Sequence, residues 1–480
     1  MRLSRASSAR LVVAAAAVLT AVAGSTAALG STAALGSTAA LGSTASNASH
    51  ASNASHASDP GTLIVHPAAD HVRGAFMAPV PFSDAQCEAV FRIDCYVPDQ
   101  IEAAYNLPAL YGRGVTGKGQ TIVVVDAFGS PTIADDLLQF DQYLGLGTPP
   151  LRIVQVGHVP TFDSGNGDMI GWADETTLDV EYAHAGAPDA KIVLVEVAKD
   201  DLQHLALAVR YAVQHRLGDV ISLSWGEPEQ ALGREFVSSY SSIFSQAASR
   251  HITIVASSGD SGAAGQDDQG NYYHYPVANW PATSPFVTAV GGTRLNLNAS
   301  GARNGLDAAW NDTYSAAVND FFFGNDGPNP LATGGGKSAY YGRPGYQNGV
   351  RNITGNQRGV PDISMSASCS VAVNVFETFT GGQGGWTASC GTSESAPMFA
   401  AIIALADQVA GHPLGPVNPA LYALAAQHAP GIVAVASGNN TVSFSGGTVH
   451  GYSVRRGYNL VTGLGTVNGQ YLVPELAHSA

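Results

Sequence analysis

Thr121-Ile122-Val123-Val124-Val125-Asp126 is a run of β-branched and apolar residues that stops on an acid. A run this short and this rich in Val reads as a strand buried on both faces. The same device recurs along the chain. Ala190 to Val197 is a second such strand, Val220-Ile221-Ser222-Leu223-Ser224 a third that ends at Trp225-Gly226, and Ile252 to Ala256 a fourth that ends at Ser257-Ser258-Gly259-Asp260. Between and before them the apolar spacing is helical, over Ile101 to Tyr111, Ile133 to Leu144, Glu175 to Ala185, Gln203 to His215 and Phe236 to Arg250. Strands alternating with helices predict an α/β domain, a parallel sheet with helices on both faces. Sites in such sheets lie beyond the carboxyl ends of the strands, where Asp126, Trp225 and Asp260 fall. Further on, Phe286 to Val290 and Val371 to Phe376 read as strands and Pro419 to Gln427 as a last helix. Residues 294–360, with Gly334-Gly335-Gly336 in their midst, read as long surface loops walling a cleft.

The chemistry concentrates in Ser389-Cys390-Gly391-Thr392-Ser393-Glu394-Ser395-Ala396-Pro397. The Ala/Ile-rich run from Met398 to Ala410 predicts a buried helix, with Pro397 in its first turn and Ser393 just before it. Free amides and the positive end of the helix dipole favour an oxyanion there. A serine hydroxyl is a weak nucleophile and needs a base. Glu175 and Asp179 are four apart on a predicted helix, so both carboxyls share a face, among Thr176, Thr177, Leu178 and Val180. Alone, such a pair reads as a solvated face. Beside a nucleophile it can share a proton and take one from Ser393, with Glu175 as base and Asp179 as its partner. Asp260 stands in a Ser-Ser-Gly-Asp-Ser-Gly turn. Ionised it would repel an oxyanion; protonated it can donate to one.

Taken together, Glu175-x-x-x-Asp179, Ser224-Trp225-Gly226, Ser258-Gly-Asp-Ser-Gly262, Gly334-Gly-Gly-x-Ser338, Arg358-Gly-Val-Pro-Asp-Ile-Ser364 and Gly391-Thr-Ser-x-Ser-Ala-Pro397 resemble the sedolisins, serine-carboxyl peptidases with a subtilisin-like fold. The resemblance runs over roughly residues 96–475 in the family's order. It implies one large catalytic domain that cleaves peptide bonds at acidic pH. Ser393 is then the nucleophile, Glu175 the base, Asp179 its partner and Asp260 the oxyanion acid. A carboxylate base and an acid that must stay protonated both suit low pH. The expected activity is that of a serine-type endopeptidase. A neutral subtilisin-type peptidase needs a catalytic histidine in a His-Gly-Thr-His-type helix start, which is absent. His184, nine residues after Glu175, reads as a packing residue on the same helix. The other alternative is a binding protein on a silent peptidase fold. It has no chemical need for all four site residues, but two departures from the family speak for it.

The first departure is at the N-terminus, where the family carries a long propeptide. Residues 1–23 read as a secretory signal, with Arg2, Arg5 and Arg10 before an apolar run and Ala21-Val22-Ala23 at the cleavage site. Residues 24–59 repeat Gly-Ser-Thr-Ala-Ala-Leu and Ser-Asn-Ala-Ser-His-Ala and read as a flexible linker. Residues 60–95 read as a lead-in or residual pro-segment, and residues 96–480 as the peptidase domain. The second departure is at the calcium site implied by the resemblance. Its two aspartates are replaced by Ala434 and Asn459, so calcium binding is expected to be lost or weak, and no cofactor is needed for the chemistry. The net charge is −15, or −18 without residues 1–23, which disfavours nucleic acid and anionic membranes. The expected partners are protein or peptide substrates, and the expected state is a secreted monomer. Four cysteines in an exported chain suggest two disulfides with three possible pairings; the local choice is Cys87–Cys95 and Cys369–Cys390.

Overall fold

The computed structural model describes residues 63–65, 70–71, 77–147, 151–298, 300–324, 327–379 and 384–479. The expected signal at 1–23 and the repeats at 24–59 lie outside these residues. The Val-rich run forms β1, Thr121–Ala127. Five more parallel strands follow in chain order: β2 Leu151–Val156, β3 Lys191–Val197, β4 Val220–Leu223, β5 Thr253–Ser257 and β6 Thr288–Arg294. They lie in the order β6-β5-β4-β1-β3-β2, so β1 is central, flanked by β3 and β4. A further strand, β7 at Ile363–Ser366, pairs in parallel with β6, and Ala308–Ala309 pairs antiparallel on the same strand.

The side-chain alternation of β1 divides the molecule into two cores. Ile122 and Val124 pack with α1 (Ile133–Leu144), α2 (Gly167–Gly186) and the long helix Thr392–Ala410. Val123 and Val125 pack with α3 (Leu202–His215) and α4 (Glu229–Ser249). This is the expected α/β layering, helices on both faces of a mostly parallel sheet. Numbering on, Thr392–Ala410 is α5.

A second, smaller sheet leads into Ser393. Gly385–Cys390 pairs antiparallel with Val371–Glu377, which pairs in parallel with Asp94–Tyr96. Asp70–His71 pairs on the other edge, opposite Cys390 and Ser389. The described parts of residues 60–95 are therefore woven into the domain: Val65 N–H also donates to Asp200 O at 2.8 Å. The disulfides are Cys87–Cys95 and Cys369–Cys390. The second ties the end of the strand before Ser393 to the segment entering Val371–Glu377.

Several expectations need correction. Ile101 to Tyr111 is two helices, Pro98–Ala104 and Pro108–Tyr111, because Asn106 is left-handed and Pro108 cannot continue a helix. α4 starts at Glu229, ahead of Phe236, and is broken at Gly233 (φ 74°, ψ 155°). Residues 294–360 are not all surface loop, since residues 331–336 are buried and Gly336–Gly342 pairs antiparallel with Gln357–Val360. The triglycine is there for close approach: a Cβ on Gly334 would lie 2.1 Å from Ser258 O.

Candidate active site

α2 carries Glu175 and Asp179 through the middle of the molecule. Every residue from Trp172 to Gly186 is buried, so the solvated-face alternative for this acid pair is wrong. Glu175, Asp179 and Ser393 are each 0% exposed. α2 and α5 pack tightly, and a Cβ on Gly186 would meet Ala401 Cβ at 2.6 Å. That closeness runs the helix of Glu175 and Asp179 alongside the helix of Ser393.

α5 begins at Thr392, not at Met398, so Ser393 sits inside its first turn and Pro397 is interior. The reason is local. Gly391, at φ 119°, turns the chain out of strand Gly385–Cys390 straight into the helix. Pro397 has no N–H, and its i−4 partner would have been the carbonyl of Ser393. Ser224 comes to that carbonyl instead: its Oγ lies 3.5 Å from Ser393 O and donates to Asp179 Oδ1 at 2.7 Å. One hydroxyl at the end of β4 thus joins α2 to Ser393. Ser393 Oγ itself is buried and makes no hydrogen bond with the described residues.

Burial, with neighbouring charge added to it, raises the carboxyls of this cluster. Burial raises Asp179 well above the usual carboxyl range; Asp126 and Glu175 add to the rise, and the Ser224 hydrogen bond pulls against it. Asp126, at the carboxyl end of β1, is pushed up to about 7 by burial and by Glu196. Its part in this cluster was missed from sequence, where a single Asp at a strand end carries no pairing signal. Asp174, adjacent to Glu175, is raised by burial and by Glu377, with which it shares a hydrogen bond; Glu377 itself is pushed up to about 7, chiefly by burial. Glu394, next to Ser393, is pushed up to about 8 by burial. The site is a buried run of carboxyls that favours their neutral forms.

Asp260 approaches from the other side, on the loop after β5. Its Oδ1 accepts from Thr392 N at 2.9 Å and from Thr392 Oγ at 2.5 Å, and Gly259 N donates to Thr392 Oγ at 3.2 Å. The loop can come this close because Gly259 is at φ 102°, where a Cβ would strike Asn279 Nδ2 at 2.3 Å. Behind it, Gly334 N–H donates to Gly259 O at 2.6 Å and Ser258 Oγ donates to Gly334 O at 2.8 Å. Trp225 holds the adjacent rim, its indole N–H donating to Val125 O at 2.8 Å.

The four sequence-predicted residues therefore lie on three elements that converge. Asp179 reaches Ser393 through Ser224, Asp260 binds the residue before Ser393, and Glu175 lies within the electrostatic reach of Asp179. His184 is more than a packing residue: its Nε2 is 3.0 Å from Asp141 Oδ1 on α1, both groups fully buried. No group of three or more His, Cys, Asp or Glu residues able to hold a metal occurs among the described residues. No helix among them is long and apolar enough to cross a membrane.

The profile of the subtilase family matches residues 165–420. Kumamolisin from Bacillus sp. (strain MN-32) is 32% identical over 395 residues, which span 80% of this chain and 64% of kumamolisin. Sedolisin from Pseudomonas sp. (strain 101) is 28% identical over 76% of this chain and 59% of its own length. Tripeptidyl-peptidase 1 of Dictyostelium discoideum is 29% identical over 62% and 46%. The chain thus spans 46% to 64% of the length of these relatives. Among solved structures, Pseudomonas sedolisin, a serine-carboxyl proteinase complexed with two molecules of pseudo-iodotyrostatin, superposes with a TM-score of 0.66 at 26% identity, covering 80% of this chain and 98% of that one.

Proposed function

The chain belongs to the subtilase family, among the sedolisins, and from that premise we propose that it is a secreted serine-carboxyl peptidase that cleaves peptide bonds at acidic pH. One observation carries the reading: the Asp179–Ser224–Ser393 link, which seats a buried acid pair against a serine at a helix start. Glu175 takes the proton of Ser393 Oγ as the oxygen attacks the carbonyl carbon. The carbonyl π electrons move onto oxygen, and protonated Asp260 donates to that oxyanion. Collapse breaks the C–N bond, and Glu175 returns the proton to the leaving amine. Water then attacks the acyl-serine with Glu175 again as base. Asp179 shares charge with Glu175 throughout. Secretion is supported by the two disulfides, which belong to oxidising compartments.

We propose internal cleavage. The solved relative is a serine-carboxyl proteinase, and the similarity to kumamolisin and sedolisin spans more of this chain than the similarity to the tripeptidyl-peptidase. Digestion of denatured haemoglobin by the full chain at about pH 4 tests this. Products with many internal cut sites are expected. A ladder of tripeptides would replace the endopeptidase with an exopeptidase, and no Ser393-dependent digestion would leave the binding-protein alternative.

The residues at the family's calcium positions do not fit a cation. Ala434 has no ligating side chain and is exposed. Asn459 points its amide nitrogen at the oxygens a cation would use: Thr462 Oγ at 3.1 Å and the carbonyls of Arg455, Gly457 and Gly463 at 3.4, 3.4 and 3.5 Å. Its Oδ1 accepts from the Val461 and Thr462 amides at 3.0 and 2.9 Å. We propose that this amide does the cross-linking in place of calcium. Addition of a chelator is expected to leave Tm unchanged, and a fall of several degrees would overturn the proposal.

A further inference from the structure

Beside the Asp260–Thr392 contact opens a cavity of about 290 Å³. Gly226, Gly259 and Asp260 line it on the side of the nucleophile, and Glu227, Tyr272 and Asn279 also face it. Neither lysine nor arginine is among its described lining residues.

Glu227 is held in place by backbone. The two-residue strand Glu227–Pro228 pairs antiparallel with Asn279–Trp280, with Glu227 opposite Trp280. The neighbouring acid and base are spent elsewhere. Glu229 accepts from Ser338 Oγ at 2.7 Å and Ala339 N at 2.6 Å, and Arg234 donates to Tyr340 O at 3.2 Å with its guanidinium over the Tyr340 ring. The Glu227 carboxyl has no hydrogen bond or ion pair among the described residues. A half-buried carboxyl with no hydrogen bond or ion pair among the described residues, on the wall of a cavity, can take a cation or a hydrogen-bonding ligand.

Asp260, the acid assigned to the substrate oxyanion, is itself part of the wall of this cavity. We infer that the cavity receives the side chain of the substrate residue whose carbonyl Ser393 attacks and that Glu227 makes it select lysine or arginine. The inference rests on the peptidase reading and names its substrate class.

The selection depends on pH. Burial pushes the Glu227 carboxyl up to about 8. Asp260 and Tyr272 face the same cavity, while Glu229 is turned away toward Ser338. In acid the Glu227 carboxyl is therefore neutral and only hydrogen-bonds its guest. As the pH rises toward 8 a carboxylate appears, and a bound cation draws that ionisation to lower pH. Preference for a cationic side chain must grow with pH.

The test uses two quenched peptides that differ at one residue, arginine or its neutral isostere citrulline. For the full chain the ratio of kcat/KM, arginine over citrulline, is expected to reach about tenfold near pH 6 and to shrink near pH 3.5. In Glu227→Gln the ratio is expected to fall close to one at both pH values. Both peptides are measured on one protein sample, so the ratio does not depend on how much of a variant folds. A wild-type ratio near one at both pH values, or a ratio retained in Glu227→Gln, overturns the inference. Calorimetric binding of peptides ending in arginine or citrulline to Ser393→Ala separates the two claims. If the active chain cleaves neither peptide, the peptidase reading fails. Tighter arginine binding would still support the cavity assignment, and equal binding would overturn it.

Discussion

Pro397 leaves the carbonyl of Ser393 without a helical donor, and Ser224 is the side chain that stands there. With Asp179 ionised, the Ser224 proton goes to the carboxylate at 2.7 Å. With Asp179 protonated, the acid can donate to Ser224 and free that proton for the Ser393 carbonyl. Ser224 is thus a positioning residue coupled to the titration of the Glu175–Asp179 pair. Its hydrogen bond holds the Asp179 pKa down, so its loss raises it. Ser224→Ala is expected to move the acid limb of the kcat/KM profile upward by about one pH unit. A profile that superimposes on wild type would show that Ser224 only packs. The acid pair itself was legible, because a four-residue spacing on a helix fixes a shared face. Its burial, and the contributions of Ser224 and Asp126, were not legible, since each depends on strands brought together from distant parts of the chain.

The string Arg358-Gly-Val-Pro-Asp-Ile-Ser364 shows the same limit for elements. As sequence it is only a match to a pattern. In the fold, Arg358 and Asp362 form a fully buried ion pair between strand Gln357–Val360 and β7. Asp362 also accepts from Ala289 N and from Tyr422 Oη, each at 2.9 Å. This pins β7 to β6 and to helix Asn418–Ala426. Removing one partner strands the other charge in the core, so Arg358→Ala is expected to cost about 3–5 kcal/mol of stability. A loss under about 1 kcal/mol by denaturant titration would mean that water reaches Asp362. The central strands were legible because parallel strands buried on both faces are continuous apolar runs. Strand Leu151–Val156 was not, being an edge strand with exposed and half-buried residues. Helix Gly469–Ala477 was hidden by Pro474 inside it. The start of α5 was hidden because Thr, Ser and Pro at its head mimic a loop.

For the molecule as a whole, the buried carboxyls set the direction of the pH response. Asp126, Glu377 and Asp407 are pushed up to about 7, and Glu102 and Glu394 to about 8, each chiefly by burial. A folded-state pKa above the unfolded value means that the native chain holds more protons than the unfolded one. Stability is then full below about pH 4 and is lost as the pH rises through 7 to 8. One carboxyl moved from near 4 to about 7 accounts for about 4 kcal/mol at neutral pH. Tm is therefore expected to be higher at pH 4 than at pH 7.5; a Tm that rises between them would contradict the neutral-carboxyl core. The net charge alone does not give this sign; the burial of these groups does. The central claim, that carboxyls run serine chemistry here, is tested most directly by the kcat/KM profile of one quenched peptide from about pH 3 to 8. It should be measured for the full chain, Ser393→Ala and Glu175→Gln. The account predicts an optimum in acid and a loss of at least about 10³-fold in both variants. An optimum near pH 8 that survives Glu175→Gln would contradict it.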